Sequence, residues 1–149
     1  MITIAAALER MARRAPSTPA LAVRGGRRLT YGELEDRTNR LVAALAESGL
    51  GSGDAIGAWM EDGHEYLELY LAAAKAGLVI VPVNARFKAE EASYALERAR
   101  VRAVFFTDGV APFVEEALSG HDLSLLVTTG GERVGGARSY ERSFTTVAK

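Results

Sequence analysis

A chain of 149 residues, 48% hydrophobic and 25% charged with a mean hydropathy of +0.03, is long enough for one compact domain with a full core, and its composition excludes a fibrous or disordered polymer. Eighteen basic and nineteen acidic side chains leave a formal charge of −1, so no overall field draws the chain to nucleic acid or to an anionic membrane. The lack of cysteine excludes disulfides, thiolate catalysis and thiolate metal ligation, and the two histidines, His64 and His121, are too few for most zinc sites.

Met1 to Arg14 reads as an amphipathic helix rather than a targeting peptide, because its apolar stretch is short and is followed by Glu9, Arg10, Arg13 and Arg14. Ile4, Leu8 and Met11 share one face, and Pro16 and Pro19 end the pattern. No run reaches transmembrane length, which makes a cytoplasmic location the default expectation. Ala20 to Val23 and Arg27 to Thr30 are joined by Gly25-Gly26, a pair suited to a hairpin turn. Thr30-Tyr31-Gly32-Glu33 has the spacing of a capping box, so a helix starts there and Gly49 ends it. Its buried stripe is Leu34, Thr38, Leu41, Val42 and Leu45. Glu33 with Arg37 and Asp36 with Arg40 are i,i+4 pairs on its wet side.

Short apolar runs then alternate with helical patterns: strands at Ala55 to Met60, Leu78 to Val83, Arg102 to Thr107 and Leu123 to Thr128, with helices over 64–76, 89–100 and 110–119. Continuous apolar strands joined by helical crossovers predict an α/β fold with a mostly parallel sheet of about four strands. Helix 64–76 is apolar nearly all round, which predicts that it is sandwiched between the sheet and a further element, one that the pattern would allow to lie outside this chain. Self-association through an exposed apolar face is the corresponding expectation. Residues 1–128 form the expected subdomain. Residues 129–149, rich in Gly, Arg, Ser and Thr, are expected to be a loop or flexible tail leading to a downstream part.

Four groups of residues invite a chemical reading. Gly49-Leu50-Gly51-Ser52-Gly53 follows a helix and precedes a strand, the reverse of a dinucleotide fingerprint, so it predicts a helix stop and turn. Thr128-Thr129-Gly130-Gly131, followed by Gly135-Gly136, could form a nest of amides around a phosphate. No lysine lies between Lys88 and Lys149 to complete such a loop, which favours a surface loop. Glu61, Asp62 and Asp108 fall at strand ends where three carboxylates could hold Mg²⁺, as in a receiver domain. The spacing Asp62-Gly63-His64-Glu65 and the step from Asp108 into helix 110–119 instead predict helix caps, and no metal site is assigned. No Gly-x-Ser-x-Gly elbow is present, and neither histidine has a partner by spacing.

Leu29-Thr30-Tyr31-Gly32-Glu33-Leu34, then Asn39-Arg40-Leu41, then Gly53-Asp54, resemble the opening of the adenylate-forming (AMP-binding) enzymes, the superfamily of acyl-CoA synthetases, luciferases and peptide-synthetase adenylation domains. Glu65-Tyr66 followed by Lys75-Ala76-Gly77-Leu78-Val79-Ile80-Val81-Pro82-Val83-Asn84-Ala85-Arg86 is similar to that superfamily's N-terminal subdomain in order, spacing and residue type. The similarity continues through Glu90-Glu91 to Val104-Phe105-Phe106 and covers roughly residues 4–128. Val83-Asn84-x-Arg86 resembles acyl- and aryl-CoA synthetases more than peptide-synthetase domains. Two positions depart from the pattern: Asp62 stands where many relatives have asparagine, and Lys88 stands near their usual Ser/Thr helix cap.

This resemblance implies a ligase that uses ATP and Mg²⁺ to adenylate a carboxylic acid and then transfers the acyl group to the thiol of coenzyme A. It also implies that the phosphate loop, adenine-binding motif, ribose-binding acid and lid lysine lie downstream, so the chain is expected to be an N-terminal fragment, inactive alone, with no catalytic residue and no bound cofactor. The one site residue the resemblance transfers is Arg86, at a coenzyme A phosphate. Two other classes stay open: a non-catalytic α/β interaction module that pairs with another chain, and a receiver-like signalling domain labelled at Asp62 or Asp108.

Overall fold

The computed structural model describes residues 1–145. Helix α1 (Ile4–Arg14) is capped by Thr3, whose hydroxyl accepts from the Ala6 amide at 3.1 Å. Strands β1 (Pro19–Ala22) and β2 (Arg28–Thr30) form the expected antiparallel hairpin. Its turn runs from Val23 to Gly26, and of the two glycines only Gly25 takes positive φ. Helix α2 (Tyr31–Glu47) begins with the full capping box: the Glu33 amide donates to the Thr30 hydroxyl and the Thr30 amide to the Glu33 carboxylate.

The main sheet comprises β3 (Ala55–Trp59), β4 (Val79–Pro82), β5 (Val101–Phe106), β6 (Leu125–Thr128) and β7 (Arg138–Ser139), in the order β4-β3-β5-β6-β7 and parallel throughout. Helices α3 (His64–Ala76), α4 (Ala89–Arg98) and α5 (Ala111–Ala117) connect them, α5 being entered through a 3₁₀ turn at Asp108–Val110. Alternation along the strands fills two cores. Ile56, Ala58, Ala103 and Phe105 meet Leu41 and Leu45 of α2 and Leu69 and Ala73 of α3, while Trp59, Val104 and Phe106 meet Leu96 of α4 and Val114 of α5. Helices on both faces explain why the strands are apolar without interruption.

Two expectations are corrected. Helix α3 is indeed sandwiched, but the covering elements belong to this chain: Leu71 on its outer side packs with Leu8 of α1, Leu29 of the hairpin and Leu34 of α2. The region after Thr128 is not all loop or flexible tail. It adds the fifth strand β7 and a π-helical turn, Glu141–Thr145, and it sends Tyr140 and Phe144 into the core at 1% and 2% exposure. Tyr140, Phe144 and Phe105 form an aromatic triad with centroid separations of 6.1–6.2 Å. The burial comes from spaced aromatics in a polar stretch, which no helical or strand period reveals. The last four positions of the expected tail, 146–149, lie outside the described residues.

Gly77 ends α3 in the left-handed region, φ 69° and ψ 25°, and the Leu78 amide returns to the Ala73 carbonyl at 2.9 Å. A β-carbon there would stand 2.7 Å from the Ser52 hydroxyl oxygen as well as being strained by positive φ. Gly77→Ala is expected to lower stability by about 1–2 kcal/mol. Urea denaturation measures this, and an unchanged midpoint would contradict it.

Candidate functional site at the C-terminal edge of the sheet

Open α/β sheets collect ligands beyond the carboxyl ends of their strands. Here that edge carries Glu61 and Asp62 after β3, Asn84 to Arg86 after β4, Thr107 and Asp108 after β5, and Thr129 to Gly131 after β6. The Glu61 amide donates to the Thr107 hydroxyl at 3.2 Å, tying two of these loops together. Asp108 is not the helix cap its position predicts. Its carboxylate accepts from the Gly131 amide at 3.1 Å and the Glu132 amide at 2.9 Å. Two successive amides converging on an anion make a nest, and the chain's own carboxylate fills it. Gly130 lies so close against Asp108 that a β-carbon would collide with the carboxylate. A phosphate could enter this loop only by displacing Asp108.

Asp62 also fails to cap its helix. Gly63 occupies the cap position of α3 without a side-chain bond, and Glu65 faces His64 Nδ1 at 3.3 Å instead. Among the described residues, Glu61, Asp62 and Asp108 do not converge as metal ligands; His64, Glu65 and Glu141 do, with ligand atoms within 4.8 Å of one another. Arg86 stands exposed beyond β4. Its amide donates to Asn84 Oδ1 at 2.9 Å, a turn that fixes the backbone, and its guanidinium has no partner among the described residues.

Behind this edge lies a buried ionic cluster. Glu68 of α3 is fully buried and receives Arg37 Nε at 2.6 Å, Arg37 Nη2 at 3.2 Å and the Tyr140 hydroxyl at 2.5 Å. The same guanidinium reaches Glu141 at 2.7 Å. Glu141 in turn meets His64 Nε2 at 3.2 Å and Arg27 of the hairpin at 3.6 Å. Burial opposes the charge on Arg37, but the hydrogen bonds and attraction of Glu68 and Glu141 outweigh it and hold the guanidinium above its ordinary range. Burial, and then the Glu68 charge, push the Tyr140 phenol up, so it stays a neutral donor. The expected surface pair Glu33–Arg37 is therefore absent: Arg37 turns inward, whereas Asp36–Arg40 forms at 2.6 Å.

The sequence of residues 8–141 matches the profile of the family described as AMP-binding enzyme. The chain belongs to that family. Among curated relatives, this AMP-binding chain is 39% identical over 101 residues to the fatty acid–[acyl-carrier-protein] ligase ScoC of Streptomyces coeruleorubidus, a match covering 68% of the chain and 19% of the relative. It is 32% identical over 105 residues to the human mitochondrial medium-chain acyl-CoA ligase ACSF2, covering 70% and 17% respectively. Its fold superposes on a benzoate CoA ligase from Burkholderia xenovorans LB400 with a TM-score of 0.84 and 26% identity, over 97% of this chain and 28% of that one. The chain thus spans about a fifth of the length of the curated relatives it matches and corresponds to the N-terminal subdomain of acyl-ligase members of the family.

In this AMP-binding subdomain the structure keeps Arg86 open to solvent at the ligand edge but closes the glycine loop with Asp108. The Arg37–Glu68–Tyr140–Glu141 cluster escapes pattern reading because its hydrogen-bonded partners are 31 to 104 residues apart. One signal was present: Glu68 is a charge within the apolar run of helix 64–76. Removing it leaves Arg37 and the Tyr140 hydroxyl without their buried acceptor. Glu68→Ala is expected to cost about 3–5 kcal/mol, and the apolar triple variant Arg37→Met, Glu68→Leu, Tyr140→Phe to recover much of that loss. Denaturation of both variants tests the pair; a Glu68→Ala loss under about 1 kcal/mol would place the cluster in solvent.

Proposed function

We propose that this chain is the N-terminal part of an ATP-dependent ligase that joins a carboxylic acid to the thiol of coenzyme A, and that it supplies scaffold and one coenzyme contact rather than catalytic groups. The family match and the ligase relatives support this reading. The observation that carries the division of labour is the Asp108-filled nest: the amide loop after β6 already holds an anion, so no step involving ATP or Mg²⁺ is assigned to these residues.

Arg86 fits a coenzyme A phosphate. It is permanently charged, its fork of donors matches phosphate oxygens, and it is held at the ligand edge by the Asn84 turn, where no carboxylate of the described residues neutralises it. Coenzyme A supplies the thiol that accepts the acyl group; Arg86 would bind and orient its phosphate. In a complete ligase carrying this chain, Arg86→Ala is expected to raise the KM for coenzyme A about ten-fold, equivalent to about 1.4 kcal/mol of binding. Pyrophosphate exchange, which needs only acid and ATP, should be unchanged. Equal loss in both assays would make Arg86 scaffold, and an unaltered KM would leave it without a coenzyme contact.

A further inference from the structure

His64 opens α3 at the ligand edge and stands between two carboxylates, one from the next residue and one 77 residues further on. Its Nδ1 faces a Glu65 oxygen at 3.3 Å, and its Nε2 faces a Glu141 oxygen at 3.2 Å. A neutral imidazole carries a single N–H, so only one of these contacts can be a hydrogen bond. The other sets a nitrogen lone pair against a carboxylate oxygen, an arrangement that calls for a cation between them. The surrounding charges agree. Three carboxylates, Glu65, Glu68 and Glu141, share this cluster with two guanidiniums, Arg27 and Arg37, which leaves one negative charge uncompensated.

We propose that His64, Glu65 and Glu141 bind a divalent transition-metal ion of the zinc class, and that the ion clips the start of α3 to the turn after β7. One ligand atom from each residue lies within 4.8 Å of the other two. Ligands about 2.0–2.1 Å from a tetrahedral zinc stand about 3.3 Å from one another. His64 Nε2 and Glu141 Oε1 already have nearly that separation, at 3.2 Å, and a side-chain rotation of Glu65 completes the triad. Three protein donors leave the fourth position to water. The imidazole in the set favours zinc over magnesium, which prefers oxygen donors and keeps its waters. Arg37 donates to both Glu141 oxygens, at 2.7 and 3.3 Å, and fixes the carboxylate as an outer-shell donor does in metal centres. The side chains of His64 and Glu65 are 13% and 20% exposed and that of Glu141 40%, so the ligands are largely withdrawn from water while Glu141 keeps the cluster open to an entering ion.

The test is calorimetric titration of the full chain with zinc chloride in a buffer that does not chelate, with magnesium chloride as the competing ion. Saturable binding of one zinc ion per chain is expected, undisturbed by a roughly ten-fold excess of magnesium. His64→Gln should weaken it by more than about 100-fold, and Glu65→Gln by at least about 10-fold. His121→Gln, which alters the other histidine, should bind zinc as the native chain does. These variants leave the Arg37–Glu68–Tyr140 hydrogen bonds in place, and circular dichroism confirms that each folds. Amide hydrogen exchange then reads the clip: zinc should slow exchange across residues 138–144 in the native chain and have no effect in His64→Gln. No saturable zinc binding by the native chain overturns the proposal. Binding that His64→Gln leaves intact, or that magnesium displaces, also overturns it by placing the ion on exposed carboxylates. Binding without a change in exchange at 138–144 overturns the clip.

Discussion

A carboxylate without access to water is tolerable only if its partners replace the water completely, and Glu68 is in that position. Its two oxygens are taken by two nitrogens of Arg37 and by the Tyr140 hydroxyl, and the two donor residues arrive from different parts of the chain: α2, and the segment that follows β7. The arrangement constrains everything around it. Helix α2 must lie against α3 with Arg37 turned inward, and the chain after β6 must return across the sheet so that Tyr140 reaches the same point. The Phe105–Tyr140–Phe144 contacts then supply the apolar surface that offsets the desolvation of the ions.

The cluster also connects scaffold to ligand edge. Glu141, held by Arg37, sits against His64 at the first residue of α3, directly after the loop that leaves β3. The C-terminal segment is therefore anchored beside the edge at which ligands of parallel sheets collect, and Arg27 brings the hairpin to the same place. On the far side of that edge, Asp108 fixes the loop after β6 by filling its nest. The two anchors leave Arg86, beyond β4, as a phosphate-suited group at this edge with its charge unengaged by the described residues.

Local rules carried most of the fold. The Thr30–Glu33 capping box, the Gly25 turn, the Gly77 cap and the succession of apolar strands and helices are written within a few residues of where they act, so spacing alone reveals them. The AMP-binding membership was legible for the same reason, since its motifs are runs such as Lys75 to Arg86. What was not legible depends on distant pairing. Asp108 meets amides 23 and 24 residues away, Arg37 meets Glu68 and Glu141 at separations of 31 and 104, and Tyr140 stands in a stretch whose composition alone signals a loop. A titratable side chain with a plausible neighbour one turn away, such as Arg37 beside Glu33, is misplaced by local rules when a better partner exists elsewhere.

Glu68 pins the segment after β7 into the core. Amide hydrogen exchange across residues 138–144 addresses it most directly, comparing the native chain with Glu68→Gln, which keeps the shape of the side chain and removes its charge. Protection of this segment comparable to that of β6 is expected in the native chain, with a loss confined to it and to the facing turns of α2 and α3 in the variant. Free exchange of the segment in the native chain, or equal protection in both proteins, would contradict it.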